Sequence, residues 1–189
     1  MKYIVLFFLL FTTNIQAQVI PVSFIKPSTI TIGMPYQGGK VAYIFTANDP
    51  GYVAGETHGI IAASSDQSTG IRWDNGSFVT TGATATALGT GFANTNKIIN
   101  MQGEPQTNYA AGLARAYTGG GYTDWFLPSI EELRKLYLNR MSIGGFSVNS
   151  YWSSSENSYT RAYDFDFTQG LNNFKGKNSL DYVRAIRYF

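Results

Sequence analysis

The chain of 189 residues contains no cysteine, which limits the ways in which its fold can be stabilised. Disulfide bonds, thiolate zinc sites, iron–sulfur clusters and cysteine nucleophiles are all excluded. Because His58 is the sole histidine, a metal site with several imidazole ligands is excluded as well. The fold must therefore rest on a hydrophobic core, for which 44% of the residues are apolar. With 14% charged residues and a net charge of +2, no nucleic-acid-binding surface is predicted.

The first 17 residues have the three-part organisation of a secretory signal peptide. A short basic start precedes an unbroken apolar run over residues 3–11, and a polar stretch then leads to Ala17. This pattern predicts cleavage before Gln18. The run is too short to span a bilayer, which requires about 20 residues, and no later segment is apolar enough. We therefore predict export to the periplasm, the cell surface or the medium, without membrane insertion after cleavage.

The mature chain is predicted to form one domain behind a short extended segment. Residues 18–32 contain Pro21 and Pro27 among β-branched residues. Proline cannot donate to a central ladder, so this segment is predicted to be an extended lead-in. Residues 33–189 then form the domain, and its length is usual for a single domain.

Strand patterns occur at both ends of this domain. Residues 40–45 and 59–63 are apolar runs bounded by turn residues, and we expect them to pair as a hairpin. Near the C-terminus, aromatic residues and aspartates alternate over residues 163–167, as in a strand with two distinct faces. Residues 171–175 return after a turn, and residues 181–189 are predicted to form a closing strand.

Two helices are predicted between these strands. The first has an apolar stripe from Tyr109 to Tyr117 and stops at the glycines 119–121. The second begins at Ser129, which forms a capping box with Glu132 and precedes an apolar stripe. Strands, two helices and further strands in this order argue for the α+β class.

Three ordered motifs resemble the bacterial domain family named for the C-terminal region of the Legionella collagen-like adhesin. They are a W-x-L-P-[ST]-x-x-E-L helix entry at residues 125–133, a Y-W-S-S-[ST] strand at 151–155, and a terminal V-R-x-[IV]-R strand at 183–187. The resemblance covers about residues 33–189. It implies a C-type-lectin-like fold with a mostly antiparallel sheet and two main helices, distantly related to the formylglycine-generating enzymes.

The resemblance also implies a function and an assembly. In the adhesin the domain follows a collagen-like stalk, forms a trimer and binds sulfated glycans. This chain has no Gly-X-Y repeat, so we keep both a monomer and a homotrimer as predictions. The enzyme relatives need a pair of active-site cysteines, and their oxidase activity is therefore excluded here.

A calcium site of the lectin type is not predicted. Glu104-Pro105-Gln106 is similar to the lectin E-P-N signature, and Trp73-Asp74-Asn75 is similar to W-N-D with two letters exchanged. In calcium-dependent lectins both motifs follow the second helix, with E-P-N first, whereas here both precede Ser129 in the opposite order. We therefore predict no metal and no cofactor.

Candidate ligand-binding residues come from two regions. Trp73 and Asp74 lie beside the Asn75-Gly76 turn signal, where the indole ring could stack on a sugar or instead cover the core. The other candidates are amides, a phenol and cations on the hairpins of the C-terminal region. They are Asn157, Tyr159, Arg161, Asn172, Asn173 and Lys175.

Other conspicuous residues are given structural interpretations. Trp125 is assigned to the core, one of Tyr151 and Trp152 is expected to be inside, and one of Arg184 and Arg187 is expected to be buried with a carboxylate.

Two pairs of residues could support catalysis. Asp164 and Asp166 stand about 7 Å apart along the strand, within the range found in inverting glycosidases, but the solvated outer face of a strand explains them without chemistry and is the favoured interpretation. His58 and Glu56 could form a base and its partner or a local hydrogen bond.

We therefore predict an exported, non-enzymatic recognition domain that binds an extracellular glycan. Two alternatives remain open: a structural or protein-binding module of the cell envelope, whose partner is a surface protein, and a hydrolase that uses one of these two pairs.

Overall fold

The computed structural model describes residues 29–104 and 106–189. The predicted signal peptide, residues 1–17, and most of the predicted lead-in, residues 18–32, lie outside this part of the chain. No helix within the described part is long and apolar enough to cross a membrane.

The elements follow one another as short strands, then helices, then a second group of strands. The strands are β1 (Pro35–Tyr36), β2 (Gly39–Ile44), β3 (Gly59–Ala62), β4 (Ser68–Ile71), β5 (Ser150–Glu156), β6 (Arg161–Asp166), β7 (Leu171–Gly176), β8 (Asp181–Val183) and β9 (Ile186–Tyr188). The helices are α1 (Gly91–Gln102), α2 (Ala110–Ala116), α3 (Ile130–Leu138) and α4 (Arg140–Ile143). The α+β class is thereby confirmed.

The strands form two sheets. One has the order β1-β2-β3-β9, and the other has the order β4-β8-β5-β6-β7. The predicted hairpin of β2 and β3 is present, with Val41 opposite Ile61. Within the described part of the chain, the strand pairings are antiparallel except that of β5 with β8, where Tyr151 lies opposite Tyr182. The mostly antiparallel arrangement therefore matches the prediction.

Helix α3 begins where its sequence predicts. The Ser129 hydroxyl accepts a hydrogen bond from the Glu132 backbone N–H at 3.3 Å, and the Glu132 carboxylate accepts one from the Ser129 N–H at 2.7 Å. Both bonds of the capping box are thus formed. Ile130, Leu133 and Leu136 face the core.

Helix α1, which has 12 residues, was not predicted. Its buried positions are Gly91, Asn94, Thr95 and Ile98, so two of its four buried residues are polar. The Asn94 amide donates to the Ala85 carbonyl at 2.6 Å, and the Thr95 hydroxyl bonds the backbone of Leu127. Because these bonds replace apolar contacts, the segment lacks the periodic apolar stripe that identifies a helix in sequence.

Strand β5 has core on both of its faces. Tyr151 and Trp152 are both fully buried, on opposite sides of the sheet, and they belong to two different clusters of core residues. Both residues are therefore inside, where the sequence required only one of them to be. Trp125 is also fully buried, as predicted.

The predicted closing strand, residues 181–189, is wrong as a single element. Strand β8 lies inside the five-stranded sheet between β4 and β5, whereas β9 lies at the margin of the four-stranded sheet. The outer side of β9 is covered by Phe126, whose N–H donates to the Ile186 carbonyl at 2.8 Å and whose carbonyl accepts from the Ile186 N–H at 3.0 Å. The C-terminal residues therefore tie the two sheets together.

Arg184 and Arg187 are both buried, where only one was expected to be. The Arg184 guanidinium pairs with Asp66 at 2.7 Å and donates to the Ala63 carbonyl at 2.9 Å. The Arg187 guanidinium makes two hydrogen bonds to Asp124, at 2.7 and 2.8 Å. Both faces of residues 184–187 are buried against protein, because this segment leads from β8 in one sheet to β9 in the other.

Candidate functional site

Five aromatic rings from distant parts of the sequence form a continuous row beside β9. Neighbouring ring centroids lie 6.1 Å apart for Tyr43 and Phe45, 6.1 Å for Phe45 and Tyr188, 4.8 Å for Tyr188 and Phe126, and 5.6 Å for Phe126 and Phe92. These separations lie within the usual range for interacting aromatic pairs, so each ring supports the next. We call this set of rings the aromatic row.

Two adjoining cavities run along the aromatic row. The first has a volume of about 290 Å³ and is lined by Phe45, Pro50, Gly51, His58, Gly89, Tyr188 and Phe189. The second has a volume of about 410 Å³ and is lined by Gly89, Phe92, Ala93, Asp124, Phe126 and Tyr188. Because Gly89 and Tyr188 line both, we treat them as one concave surface and call it the groove.

A cation packs against each end of the aromatic row. The Lys135 ammonium lies 4.3 Å from the centroid of the Tyr43 ring, and the Arg115 guanidinium lies 4.7 Å from that of Phe92. Both distances fit cation–π contacts. Phe92 is 39% exposed, so its ring also offers area to a ligand in the groove.

Asp124 is the carboxylate that lines the groove. Its side chain is 50% exposed, whereas that of its partner Arg187 is 8% exposed and lies beneath it. The hydrogen bonds from Arg187 hold the pKa of Asp124 below its usual value, against a smaller opposing effect of burial. The groove therefore contains an ionised acceptor whose position is fixed from below.

His58 supplies a second polar group at the other end of the groove. Its Nε2 atom lies 2.8 Å from the Glu56 carboxylate, and its Nδ1 atom lies 3.1 Å from the Phe189 carbonyl oxygen. The hydrogen bond to Glu56, followed by that to Phe189, raises the pKa of His58. The predicted local interaction of His58 and Glu56 is thus present.

Glu132 lies beneath the point where the two cavities meet. Its buried carboxylate accepts hydrogen bonds from the Tyr188 hydroxyl, from the Gly89 N–H at 2.9 Å and from the Ser129 N–H at 2.7 Å. Burial nevertheless raises the pKa of Glu132, because it opposes the charged form more than these bonds favour it. Gly89 has a φ of +89°, which glycine adopts without strain. One carboxylate thus fixes both residues that the cavities share.

Trp73 and Asp74 do not form the predicted stacking surface, because both are fully buried. The Trp73 indole N–H donates to the Ser153 carbonyl at 2.8 Å, and the Lys177 ammonium lies 4.7 Å from its ring centroid. Asp74 pairs with Arg72 at 2.7 Å. Of the two interpretations of Trp73, the structure therefore supports the core residue.

The hairpin candidates lie at the surface around β6 and β7. Asn157, Tyr159 and Arg161 are exposed, and the Arg161 guanidinium lies 5.4 Å from the ring centroid of Phe174. The Tyr159 ring packs against Phe78 at 6.1 Å. Sequence analysis did not single out Phe174, which is 49% exposed. None of these residues lines the groove.

The candidates on β7 differ in their exposure to solvent. Asn172 and Asn173 are both exposed, opposite Phe165 and Asp164 respectively. The Lys175 side chain is turned inward, where its ammonium lies 2.9 Å from Asp181 and 3.3 Å from Asp164. Lys175 is therefore already engaged in ion pairs.

The interpretation of Asp164 and Asp166 as a solvated strand face is wrong for Asp164. This residue is fully buried, and burial raises its pKa although Lys175 opposes the shift. Asp166 instead closes its own turn by accepting hydrogen bonds from the N–H groups of Thr168 at 2.6 Å and Gln169 at 3.2 Å. The two carboxylates therefore have separate structural roles.

The two segments that resemble lectin calcium motifs are neighbours in space. The Asn75 side-chain amide donates to the carbonyls of Gln102 and Glu104, both at 3.1 Å. Over residues 29–104 and 106–189, no group of three or more histidine, aspartate or glutamate side chains is arranged to hold a metal ion.

Sequence analysis did not identify the groove. The four rings of the aromatic row that line it come from the residue after β2, from α1, from the segment before α3 and from β9, so no local pattern connects them. A partial signal was available, because Phe126 and Tyr188 lie within or next to the motifs that carry the family resemblance.

Comparison with protein families gives one match over most of the domain. The family model of the Lcl C-terminal domain matches residues 62–187, which is more than half of the chain. The match contains helix α3, strand β5 and the segment from β8 into β9. No curated protein matches the chain.

Proposed function

This chain belongs to the family of the Lcl C-terminal domain, a family of bacterial surface-associated domains, and on that premise we propose that it is an exported recognition domain that binds an extracellular glycan. In this proposal the fold is C-type-lectin-like, and the domain acts without a metal, a cofactor or a catalysed reaction. The mostly antiparallel sheets and the position of α3 against β5 and β6 support the proposed fold.

The observation that carries the proposal is the aromatic row along the groove. Sugar rings have apolar faces and hydroxyl edges, so they bind where aromatic rings lie next to fixed hydrogen-bonding groups. The groove offers the partly exposed Phe92 and Tyr188 rings, with Asp124 and His58 beside them. The ion pairs with Arg187 and Glu56 hold these polar groups in place, which reduces the ordering cost of binding.

Recognition suits Asp124 better than catalysis does. Asp124 is held ionised by Arg187, and a carboxylate whose pKa lies below its usual value is a poor proton donor or acceptor near neutral pH. It remains a strong hydrogen-bond acceptor for sugar hydroxyls.

Two exposed phenylalanines provide a matched test. We expect Phe92→Ala to weaken the affinity for the best ligand of a glycan array at least about tenfold, because it removes stacking area in the groove. Phe174→Ala removes a ring of similar exposure from the β7 surface and should leave the affinity unchanged. Affinities would be measured by calorimetry on variants whose circular dichroism matches that of the wild type.

The same pair decides between the groove and the hairpin residues. If Phe174→Ala and Arg161→Ala abolished binding while Phe92→Ala did not, the glycan site would lie at Asn157, Tyr159, Arg161 and their neighbours. A folded wild-type protein that binds no glycan on the array would end the proposal.

A second candidate function, protein binding, is favoured by one exposed apolar patch. Met141 and Val148 are 87% and 74% exposed, and both line a cavity of about 270 Å³. Exposed apolar clusters of this kind mark protein contacts. If the protein sediments as a trimer, Met141→Glu should shift it to monomer, whereas an unchanged trimer would remove this patch from the interface.

A further inference from the structure

We infer that His58 is a pH-sensitive clip, which in its protonated form ties the connection between β2 and β3 to Phe189, the residue after β9. The connection comprises residues 45–58, and four of them line the smaller cavity of the groove. The clip therefore controls how firmly one rim of that cavity is held. It is a property of the protein without ligand, so it goes beyond the proposed function and does not depend on it.

Both nitrogen atoms of the His58 ring face an oxygen atom. Nε2 lies 2.8 Å from the Glu56 carboxylate, and Nδ1 lies 3.1 Å from the Phe189 backbone oxygen. A carboxylate and a backbone oxygen accept hydrogen bonds but donate none. A neutral imidazole has one N–H group and satisfies one of the two acceptors, whereas the imidazolium cation donates to both. The arrangement therefore fits the protonated ring better than either neutral form.

The clip is anchored on the four-stranded sheet. The Phe45 N–H donates to the His58 carbonyl at 2.9 Å, and Gly59 and Phe189 exchange two backbone hydrogen bonds, both at 3.2 Å. Gly59 is the first residue of β3, so these bonds fix the backbone on either side of the ring. A change in the hydrogen bonds of the ring therefore acts on Glu56 rather than on the sheet.

The segment that the clip holds is the exposed part of the connection, residues 51–57. Its backbone hydrogen bonds to described residues are local, from the Tyr52 N–H to the Asp49 carbonyl at 3.2 Å and from the Glu56 N–H to the Val53 carbonyl at 3.1 Å. Within the described part of the chain, Glu56 is the residue of this segment whose side chain makes a hydrogen bond. Loss of that bond would therefore loosen the segment and the rim beside it.

The other charged groups near His58 are engaged elsewhere. Burial opposes the charged form of Asp49, but hydrogen bonds within its own turn and the Lys135 charge lower its pKa. On the opposite side of the cavity, Tyr188 donates to the buried Glu132, and burial raises the pKa of both groups. Among the described residues, Glu56 is thus the charged group that the ring contacts.

The sign of the pH dependence follows from the contacts of the ring. The hydrogen bond to Glu56, followed by that to Phe189, raises the pKa of His58 above its usual value of 6.5, against the effect of burial. The closed state therefore binds the proton more tightly than the open state. The clip is fully closed below about pH 6.5 and is lost as the pH rises through the raised pKa. The effect is local, because the His58 and Glu56 side chains are 34% and 63% exposed.

The first test is an NMR titration of the imidazole, which is unambiguous because the sequence contains one histidine. We expect the ring signals of folded wild-type protein to titrate with a pKa above 6.5. Glu56→Gln removes the anionic partner and should lower that pKa by at least about 0.5, which corresponds to about threefold in the opening equilibrium. Glu104→Gln, at an exposed carboxylate that bonds the Gln106 N–H, should leave the pKa unchanged.

The second test measures the order of the segment itself. Val53 lies within residues 51–57 and is 44% exposed, and Val148 is 74% exposed on another part of the surface. We expect the NMR order parameter of the Val53 methyl groups to fall as the pH rises through the measured pKa, while that of Val148 stays constant. His58→Asn cannot become charged and should remove the pH dependence at Val53.

The outcomes separate the clip from the proposed function. A pKa of His58 at or below 6.5, or one that Glu56→Gln leaves unchanged, would overturn the clip. A Val53 order parameter that is constant with pH, or that still varies in His58→Asn, would overturn it as well, since Glu132 or another group would then be responsible. If His58→Asn does not fold, wild type and Glu56→Gln still decide. These measurements need no ligand, so a blank glycan array leaves the clip intact, and failure of the clip leaves glycan recognition intact.

Discussion

At the scale of single residues, buried charges hold the segment between the two sheets. The fully buried Arg184 makes an ion pair with Asp66, donates to the carbonyls of Ala63 and Gly145, and lies 4.2 Å from the ring centroid of Phe146. We expect Arg184→Met to lower the free energy of unfolding by about 3–5 kcal/mol, because Asp66 is left without its cation. Urea denaturation would measure the change.

A surface ion pair provides the control. Arg134 pairs with Glu131 on α3 at 2.7 Å, with both side chains partly exposed. Arg134→Met should change the free energy of unfolding by less than about 1 kcal/mol. Equal effects of the two substitutions would contradict the assigned role of Arg184.

Asp181 is expected to make stability fall as the pH rises. Burial raises its pKa to about 7, outweighing the hydrogen bond from Lys175, while the nearby Asp164 charge adds to the rise. Because the folded-state pKa lies above the unfolded value of 3.8, the native state binds the proton more tightly. The contribution is therefore full below about pH 4 and is lost as the pH approaches 7.

Asp181→Asn removes this proton-binding group and tests the sign. Between about pH 4 and 7 we expect wild-type stability to fall relative to the variant, by at most about 1.4 kcal/mol per pH unit. Asp166 is the opposite case, because hydrogen bonds from Thr168 and Gln169 lower its pKa although burial opposes this. Urea denaturation midpoints of the wild type and of Asp181→Asn at several pH values would measure this fall in stability. A stability difference between the two proteins that does not depend on pH would contradict the raised pKa of Asp181.

At the scale of elements, the start of α3 positions the groove as well as the helix. Ser129 Oγ accepts from the Glu132 N–H and donates to the Ala87 carbonyl at 2.9 Å, which holds the loop that leads to Gly89. We expect Ser129→Ala to cost about 1–2 kcal/mol in the free energy of unfolding, whereas Ser158→Ala, at an exposed turn position, should cost little. Thermal denaturation followed by circular dichroism would compare them, and equal midpoints would contradict the capping role.

The elements also show where sequence patterns succeed and fail. Helix α3 was predicted because a local cap and an apolar stripe coincide at Ser129 and after it. Helix α1 was missed because Asn94 and Thr95 on its inner face bond to Ala85 and Leu127, which lie outside the helix, 9 and 32 residues away along the sequence. A buried polar face looks like an exposed one until its partners are known.

At the scale of the whole molecule, the last residues join both sheets and shape the groove. Deleting residues 186–189 removes β9, the core residue Ile186 and the Tyr188 hydroxyl that donates to Glu132. We expect the cooperative unfolding transition to disappear, because the four-stranded sheet loses β9 and the buried face of α3 loses Ile186 from its core cluster. Tyr188→Phe, which removes the hydroxyl alone, should keep the transition, and a cooperative transition in the deletion variant would contradict this view.

The sequence alone determined the class and the family, because strand alternation, the cap at Ser129 and the three motifs are all local patterns. It also placed Trp125 in the core and paired β2 with β3. Only the tertiary structure decided that Trp73 is enclosed, that both Arg184 and Arg187 are buried, and that Phe45, Phe92, Phe126 and Tyr188 meet along one groove. Burial and concavity depend on how segments far apart in the chain pack together, and no short stretch of sequence records that packing.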